Sequence, residues 1–259
     1  MEKKWAFDSD LTQGYTEVRQ AFIGEFLASV REQVELATAL DIGCGVGSFS
    51  RFLFELGFRV IAIDGRPQNA EEGKRRYPEI TFLTRDAEDP ALPEIGTFDF
   101  VLCAGLLYHL ENPFRAVRNL FSLTGKLLAV ESMCAPGDKP TLELLDEYQQ
   151  EDQGLNHVAL YPTESCLVKM LYRAGFPFVY GFKQLPNHPP FRATRSRRRE
   201  RTMLVASRQS LNKGGLILIS EPKRPWDIWS NASSFSGMRA KLDKVARKVR
   251  NSIKITVSE

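Results

Sequence analysis

Leu40-Asp41-Ile42-Gly43-Cys44-Gly45-Val46-Gly47-Ser48-Phe49 is the stretch on which the reading of this chain turns. The apolar run from Ala37 to Ile42 ahead of it reads as a strand. Phe49 to Leu56 behind it reads as a helix stopped by Gly57, so three alternating glycines sit in a strand-to-helix turn. Glycine there lets the backbone turn tightly and lets a ligand approach with no Cβ in the way. The spacing is GxGxG rather than the GxGxxG that seats a dinucleotide pyrophosphate on a helix N-terminus. Asp41 stands two residues ahead of the first glycine. A carboxylate there would repel a pyrophosphate and suits a ligand that carries an ammonium or sulfonium cation.

Outward from that turn the chain alternates. Strands are predicted over Arg59 to Ile63, Ile80 to Leu83, Phe98 to Cys103 and Lys126 to Val130, with helices over Pro67 to Tyr77 and Pro113 to Phe121. Short connections in a β-α-β-α rhythm call for an α/β fold, a parallel sheet wound on both faces by helices. A helix over 11–37 precedes it, with Val18, Phe22, Phe26, Val30 and Val34 at four-residue spacing. Residues 135–160 break the rhythm and read as an inserted helix and loops. A helix from Thr163 to Ala174 follows, with Thr163 as N-cap and Gly175 just past its end, and then strands over Phe176 to Phe182 and Thr202 to Ala206. Past Ser207 the pattern leaves this sheet: Leu216 to Ile219 reads as a short extra strand, and Met238, Leu242, Val245, Val249 and Ile253 make the apolar stripe of a final amphipathic helix. The expected organisation is a helical cap over 1–36, a ligand domain over 37–207 with a lid inserted at 135–162, and a basic extension over 208–259.

Two more acids stand at successive strand ends. Asp64, followed by Gly65, closes the second strand 17 positions after Gly47, where an acceptor can take both hydroxyl protons of a ribose. Asp86, followed by Ala87, comes after the third, where a carboxylate could accept from an adenine amino group. The carboxyl edge of a parallel sheet is where open α/β folds bind ligands.

Asp41-Ile42-Gly43-Cys44-Gly45-Val46-Gly47, Asp64, Asp86 and Phe98-Asp99-Phe100-Val101-Leu102-Cys103 together resemble the class I S-adenosylmethionine-dependent methyltransferases over about residues 35–207. The resemblance implies a Rossmann-like, doubly wound, seven-stranded sheet, mostly parallel with an antiparallel last strand, and S-adenosylmethionine as cofactor. It implies that Asp41, Gly43, Cys44 and Gly45 line the methionine end, that Asp64 and Gly65 hold the ribose, that Asp86 and Ala87 hold the adenine, and that Cys103 and Ala104 form the floor after the fourth strand.

Gly105-Leu106-Leu107-Tyr108-His109-Leu110 follows that strand, on the side where the transferable methyl would sit. Among members of the resembled family, a Leu-Tyr-His-Leu segment here occurs in many small-molecule enzymes and in the tRNA wobble-uridine enzymes. His109, with an ordinary pKa near 6.5, suits a general base toward an acceptor hydroxyl, or it orients the loop without moving protons. Glu131, ending the fifth strand, is a second candidate base, an acceptor for the substrate, or a partner of a neighbouring amide. Tyr108 and, from the insertion, His157 are candidate substrate contacts. There is no Asn/Asp-Pro-Pro-Tyr/Phe segment after the fourth strand, against exocyclic base-amine methylation, and no metal-ligand trio of the kind catechol chemistry uses.

Composition bounds the rest. A chain of 259 residues with 43% hydrophobic and 26% charged residues is an ordinary globular balance. No apolar run approaches the ~18 residues that cross a bilayer, the first residues turn acidic too early for a secretion signal, and Cys44, Cys103, Cys134 and Cys166 show no metal spacing, which points to a reducing cytoplasm. Residues 1–182 carry 17 Lys and Arg against 27 Asp and Glu, whereas residues 183–259 carry 18 against 5. Arg192, Arg195, Arg197, Arg198, Arg199 and Arg201 crowd the loop before the last main-sheet strand, as a phosphate site or a solvated hairpin tip. The basic terminal helix could lie on an anionic membrane surface, dock on the body or pair with a second subunit. Two acceptor classes follow: a small molecule or glycan intermediate methylated on oxygen, or RNA tracked by the basic tail. The tail aromatics are not interleaved with its arginines as a base-stacking platform would be, which favours the first. A cofactor-binding protein without turnover is the third reading.

Overall fold

The computed structural model describes residues 5–147, 154–155, 157–193, 199–212 and 214–222; the terminal-helix stripe, Trp226 and Trp229 of the tail, and Arg195, Arg197 and Arg198 lie outside them. Helix α1 (Asp10–Val30) is opened by Ser9, whose hydroxyl accepts the Thr12 N–H at 3.3 Å. Its apolar stripe buries Ile23, Phe26, Leu27 and Val30. The apolar period outlasts the helix: the chain leaves it at Arg31 and reaches buried Val34 through a turn.

The alternating body follows as β1 (Thr38–Ile42), α2 (Ser48–Glu55), β2 (Arg59–Asp64), α3 (Pro67–Arg76), β3 (Thr81–Thr84), β4 (Phe98–Ala104), α4 (Pro113–Leu123) and β5 (Thr124–Met133). An antiparallel hairpin, β6 (Leu142–Asp146) with β7 (Val158–Pro162), comes next. Then come α5 (Glu164–Ala174), capped by the Thr163 hydroxyl, β8 (Phe178–Phe182), β9 (Arg201–Ser207) and β10 (Leu216–Leu218).

The main sheet runs β3-β2-β1-β4-β5-β9-β8-β10, parallel from β3 through β5. Among the described residues it has eight strands, not the seven the resemblance implies. Strand β9 is antiparallel, as implied, but lies inside the sheet between β5 and β8. Leu216–Leu218, read from sequence as outside this sheet, pairs antiparallel with the free edge of β8 and supplies the eighth strand. Three residues that start beyond a Gly-Gly turn carry no alternation long enough to reveal that register. The described part of the 135–162 insertion is also a hairpin where a helix was expected: Leu142 pairs with Pro162 and Leu144 with Leu160 across it, and its polar, acidic surroundings hid a two-residue period.

Both faces of the sheet are buried. Leu40, Ile42, Val101 and Cys103 point into a core shared with α4 and α5, while Ala39, Phe100 and Leu102 point into one shared with α1 and α2. The sheet edge opposite the glycine turn is pinned by Asp99. Its carboxylate accepts the N–H groups of Ala37 and Thr38 at 2.9 and 3.1 Å and pairs with Lys126. At the other edge the chain goes from β1 to β2 and β3 on one side and returns to β4 on the other. That reversal leaves a crevice above the carboxyl end of β1.

Candidate functional site

Gly43, Gly45 and Gly47 take φ of 73°, 56° and 96°, all left-handed, which turns the chain from β1 into α2. The N–H groups of Gly43 and Cys44 both donate to the carbonyl of Ile63 in β2, at 2.9 and 3.0 Å. The Gly45 N–H is taken by Asp64 Oδ2 at 2.9 Å. Asp64 Oδ1 accepts from the Arg66 N–H at 2.9 Å and from Asn69 Nδ2 at 3.1 Å. Described residues therefore fill three of the about four acceptor positions of the carboxylate and leave one on Oδ2. Apolar side chains close over the turn: Leu106 packs on Gly43, the Phe7 ring on Gly45 and Leu155 of the insertion on Gly65.

Asp41 is 2% exposed, and its Oδ2 accepts the Ser50 hydroxyl at 2.6 Å. Burial drives its carboxyl up to about 7 against the opposing Ser50 hydrogen bond, and the charge of Asp64 adds to the rise. Burial likewise raises Asp64, only partly offset by its three donors. Asp86 is exposed, with Oδ1 accepting the Glu88 N–H at 2.9 Å. The loop that carries it is fixed from below by buried Asn119, whose amide donates to the carbonyls of Ala87 and Asp89 at 2.9 and 2.8 Å. Cys103 is fully buried, its thiol pushed up by burial, and Ala104 lies half-buried beyond it.

On the β4–β5 side, Glu131 is 1% exposed. Its Oε1 accepts from Tyr15 at 3.0 Å and Arg201 Nη1 at 2.8 Å, and its Oε2 accepts from Arg19 Nη1 at 3.1 Å. Burial pushes this carboxyl up, but Arg201 and Arg19 outweigh it and hold it below the usual value. A carboxylate so engaged holds cations in place and is a poor proton acceptor. Two guanidiniums on one carboxylate leave a surplus positive charge. Arg19 sits over the Tyr15 ring at 4.1 Å and the Phe49 ring at 5.1 Å, and its Nε is buried without a partner among the described residues. Arg201 Nη2 donates to Tyr108 Oη at 2.8 Å, which places Tyr108 beside Glu131. The His109 ring lies against Tyr108 with centroids 4.2 Å apart, and its Nδ1 meets the Glu147 carboxylate. His157 is exposed on the insertion, at φ 55°, and its carbonyl accepts the Glu147 N–H at 3.2 Å.

The sequence-predicted residues thus fall in two neighbouring groups. Asp41, Gly43, Cys44, Gly45, Asp64 and Gly65 cluster at β1–β2, with Asp86 and Ala87 on the next loop. Cys103, Ala104, Tyr108, His109 and Glu131 gather at β4–β5, and His157 is exposed on the insertion. Tyr15, Arg19, Asn119 and Glu147 were missed. Arg19 lies among the polar residues of an amphipathic helix, and only its burial at 8% exposure gives it away. Among the described residues no cluster of His, Cys, Asp and Glu fits a metal, and no helix is long and apolar enough to cross a membrane.

Residues 40–125 match the family described as a methyltransferase domain. The ubiquinone biosynthesis O-methyltransferase of Xanthomonas oryzae pv. oryzae (strain PXO99A) is 33% identical over 106 residues, 38% of this chain and 44% of that protein. The chain therefore spans less than half the length of that relative. Nodulation protein S of Bradyrhizobium diazoefficiens is 25% identical over 192 residues, 68% of this chain and 91% of its own. Among solved structures, the N-terminal domain of EvdMO1 with SAH bound superposes with a TM-score of 0.58 over 73% of this chain and 80% of that one. At 19% identity that likeness carries the fold alone.

Proposed function

We propose, on the premise that residues 40–125 and the sheet around them place this chain among the class I S-adenosylmethionine-dependent methyltransferases, that it binds S-adenosylmethionine above β1, β2 and β3 and methylates an oxygen of a small molecule or a sugar or glycan intermediate. One observation carries the reading: buried Asp41 and half-buried Asp64, two carboxylates that each feel burial as a penalty, flank a turn too tight for side chains. A ligand with a sulfonium and an ammonium relieves that penalty, and a pyrophosphate would deepen it.

The residues present fit such a ligand. Asp41 and the backbone of Gly43, Cys44 and Gly45 take the methionine end. The acceptor position left on Asp64, beside Gly65, suits a ribose hydroxyl, and the loop of Asp86 and Ala87 suits the adenine. Arg19, whose charge exceeds what Glu131 balances and whose Nε has no described partner, suits the methionine carboxylate. Bound there, the cofactor supplies a methyl already activated on a positive sulfur. The protein's task is then to align the acceptor and exclude water. Phe7, Leu106 and Leu155 provide the apolar cover, and Cys103 and Ala104 the floor. Oxygen as acceptor atom is supported by the matched Xanthomonas protein, whose name states O-methylation.

Calorimetry tests the cofactor reading. S-adenosylmethionine and S-adenosylhomocysteine should both bind, and Arg19→Ala should weaken both about 10- to 100-fold, the worth of a hydrogen bond to a charged group. Methylthioadenosine, which lacks the amino-acid end, should bind wild type and variant alike. No heat with either full-length ligand on folded protein would end the reading. Labelled-methyl transfer into fractionated cell extract tests the acceptor: label in small metabolites or glycans is expected, and label in RNA would overturn that class.

A further inference from the structure

Glu147 reaches the β4–β5 side from the inserted hairpin, 38 residues along the chain from His109. Its side chain is 4% exposed and that of His109 10%, with Oε1 against Nδ1. Both carboxylate oxygens also accept the Gly154 N–H, at 3.1 and 3.0 Å, and the Gly154 carbonyl is held by Arg66 of the ribose-side loop. The Glu147 N–H is tied to the His157 carbonyl. An acid in a polar insertion has every reason to face solvent; this one is anchored at several points and turned inward onto an imidazole nitrogen.

We propose that Glu147 is a positioning residue that keeps the proton on His109 Nδ1, so that Nε2 carries the basic lone pair that takes the proton of the methyl acceptor. This rests on the methyl-transfer reading above. A free imidazole has two tautomers, and a carboxylate on Nδ1 selects the one protonated there and stabilises the imidazolium that forms. The hydroxyl proton passes to Nε2 as the acceptor oxygen takes the methyl, with the carbon–sulfur bonding pair left on sulfur. The imidazolium then returns its proton to solvent. Among the described residues, Glu147 is an anion in contact with His109. Other described groups around it are Tyr108 on its own turn, Tyr161 of β7 behind Tyr108 at 5.6 Å, and Arg201 of β9, which acts through the Tyr108 hydroxyl and is already paired with Glu131. The same hairpin sets Leu155 on Gly65, so one element covers the ribose side and aims the base.

The chain holds three histidines, so proton–nitrogen correlation spectra of the full-length, cofactor-free protein resolve His109 once its signals are identified by their loss in His109→Asn. The expected result is the Nδ1–H tautomer in alkali and a pKa above the ordinary ~6.5. Glu147→Gln should lower that pKa by about one unit or more, and Glu147→Asp should restore most of it. In the extract fraction that accepts label, Glu147→Gln should slow transfer at least about 10-fold and move the acid limb of the rate profile to lower pH. An Nε2–H tautomer in the wild type, or a His109 pKa unmoved by Glu147→Gln, would overturn the assignment. If the variant does not fold, the wild-type tautomer and pKa decide alone. S-adenosylhomocysteine calorimetry on the same samples separates the two levels. Absent heat overturns the methyl-transfer premise, whereas normal heat with the wrong tautomer overturns the role of Glu147 only.

Discussion

Asp41→Asn should stabilise the ligand-free protein at pH 8 while weakening its hold on S-adenosylmethionine. Asp41 titrates at about 7 in the folded chain against an ordinary 3.8. The native state therefore keeps the proton to higher pH than the unfolded chain does, and stability falls as pH rises from about 4 to about 7 and is level above that. A rise of about 3 units corresponds to about 4 kcal/mol, at ~1.4 kcal/mol per unit. In a domain of this size that amounts to ~10 °C in melting temperature. The asparagine carries no charge and escapes this penalty, so its stability relative to wild type should climb through that window. Any pH-independent change in the Ser50 hydrogen bond adds only a constant offset. The assay is urea unfolding of both proteins at half-unit steps from pH 4 to 8.5, followed by calorimetry with S-adenosylmethionine at pH 8. Parallel stability curves across the window would show that Asp41 is not a suppressed acid, and undiminished cofactor affinity in the variant would refute its pairing with the ligand's cations.

Glu131→Gln leaves Arg19 and Arg201 facing each other without an anion and should cost about 3–5 kcal/mol in urea unfolding. The folded carboxyl lies below its ordinary 4.5, so the loss should be full above that pH and shrink as pH falls through the depressed value; a loss constant down to pH 2 would contradict the ion cluster. Gly47→Ala places a Cβ 2.6 Å from buried Phe82 at φ 96° and should cost about 2–5 kcal/mol, whereas Gly57→Ala, at φ 87° with nothing near, should cost only about 1 kcal/mol of backbone strain. Equal losses in the two would mean that packing of Phe82 plays no part. Asp64→Asn keeps an acceptor for the Gly45 N–H but removes the charge, and should lower affinity for S-adenosylmethionine and methylthioadenosine alike, about 10-fold; a loss confined to ligands with the amino-acid end would place Asp64 away from the ribose.

The alternating body and the glycine-side half of the site were legible in the chain because their causes are local. Three glycines that need left-handed φ, a strand of buried residues before them and Asp41 all lie within a few residues of one another, Asp64 ends and Asp86 closely follows its own short strand, and neighbouring parallel strands bring those ends to one edge. Reading stopped where partners come from far apart in sequence. Glu131 read equally as a base, an acceptor for substrate or the partner of an amide, because the groups that hold it, Arg19 from α1 and Arg201 from β9, lie 112 and 70 residues away. Nothing local marked Glu147 until the hairpin turned it onto His109, and Leu216–Leu218 read as lying outside the sheet until β8 offered it an edge. A side chain's local pattern determines which face of an element it occupies, but its charge state and its partner depend on what the fold brings against that face, because burial and Coulomb interaction act through space and not along the chain.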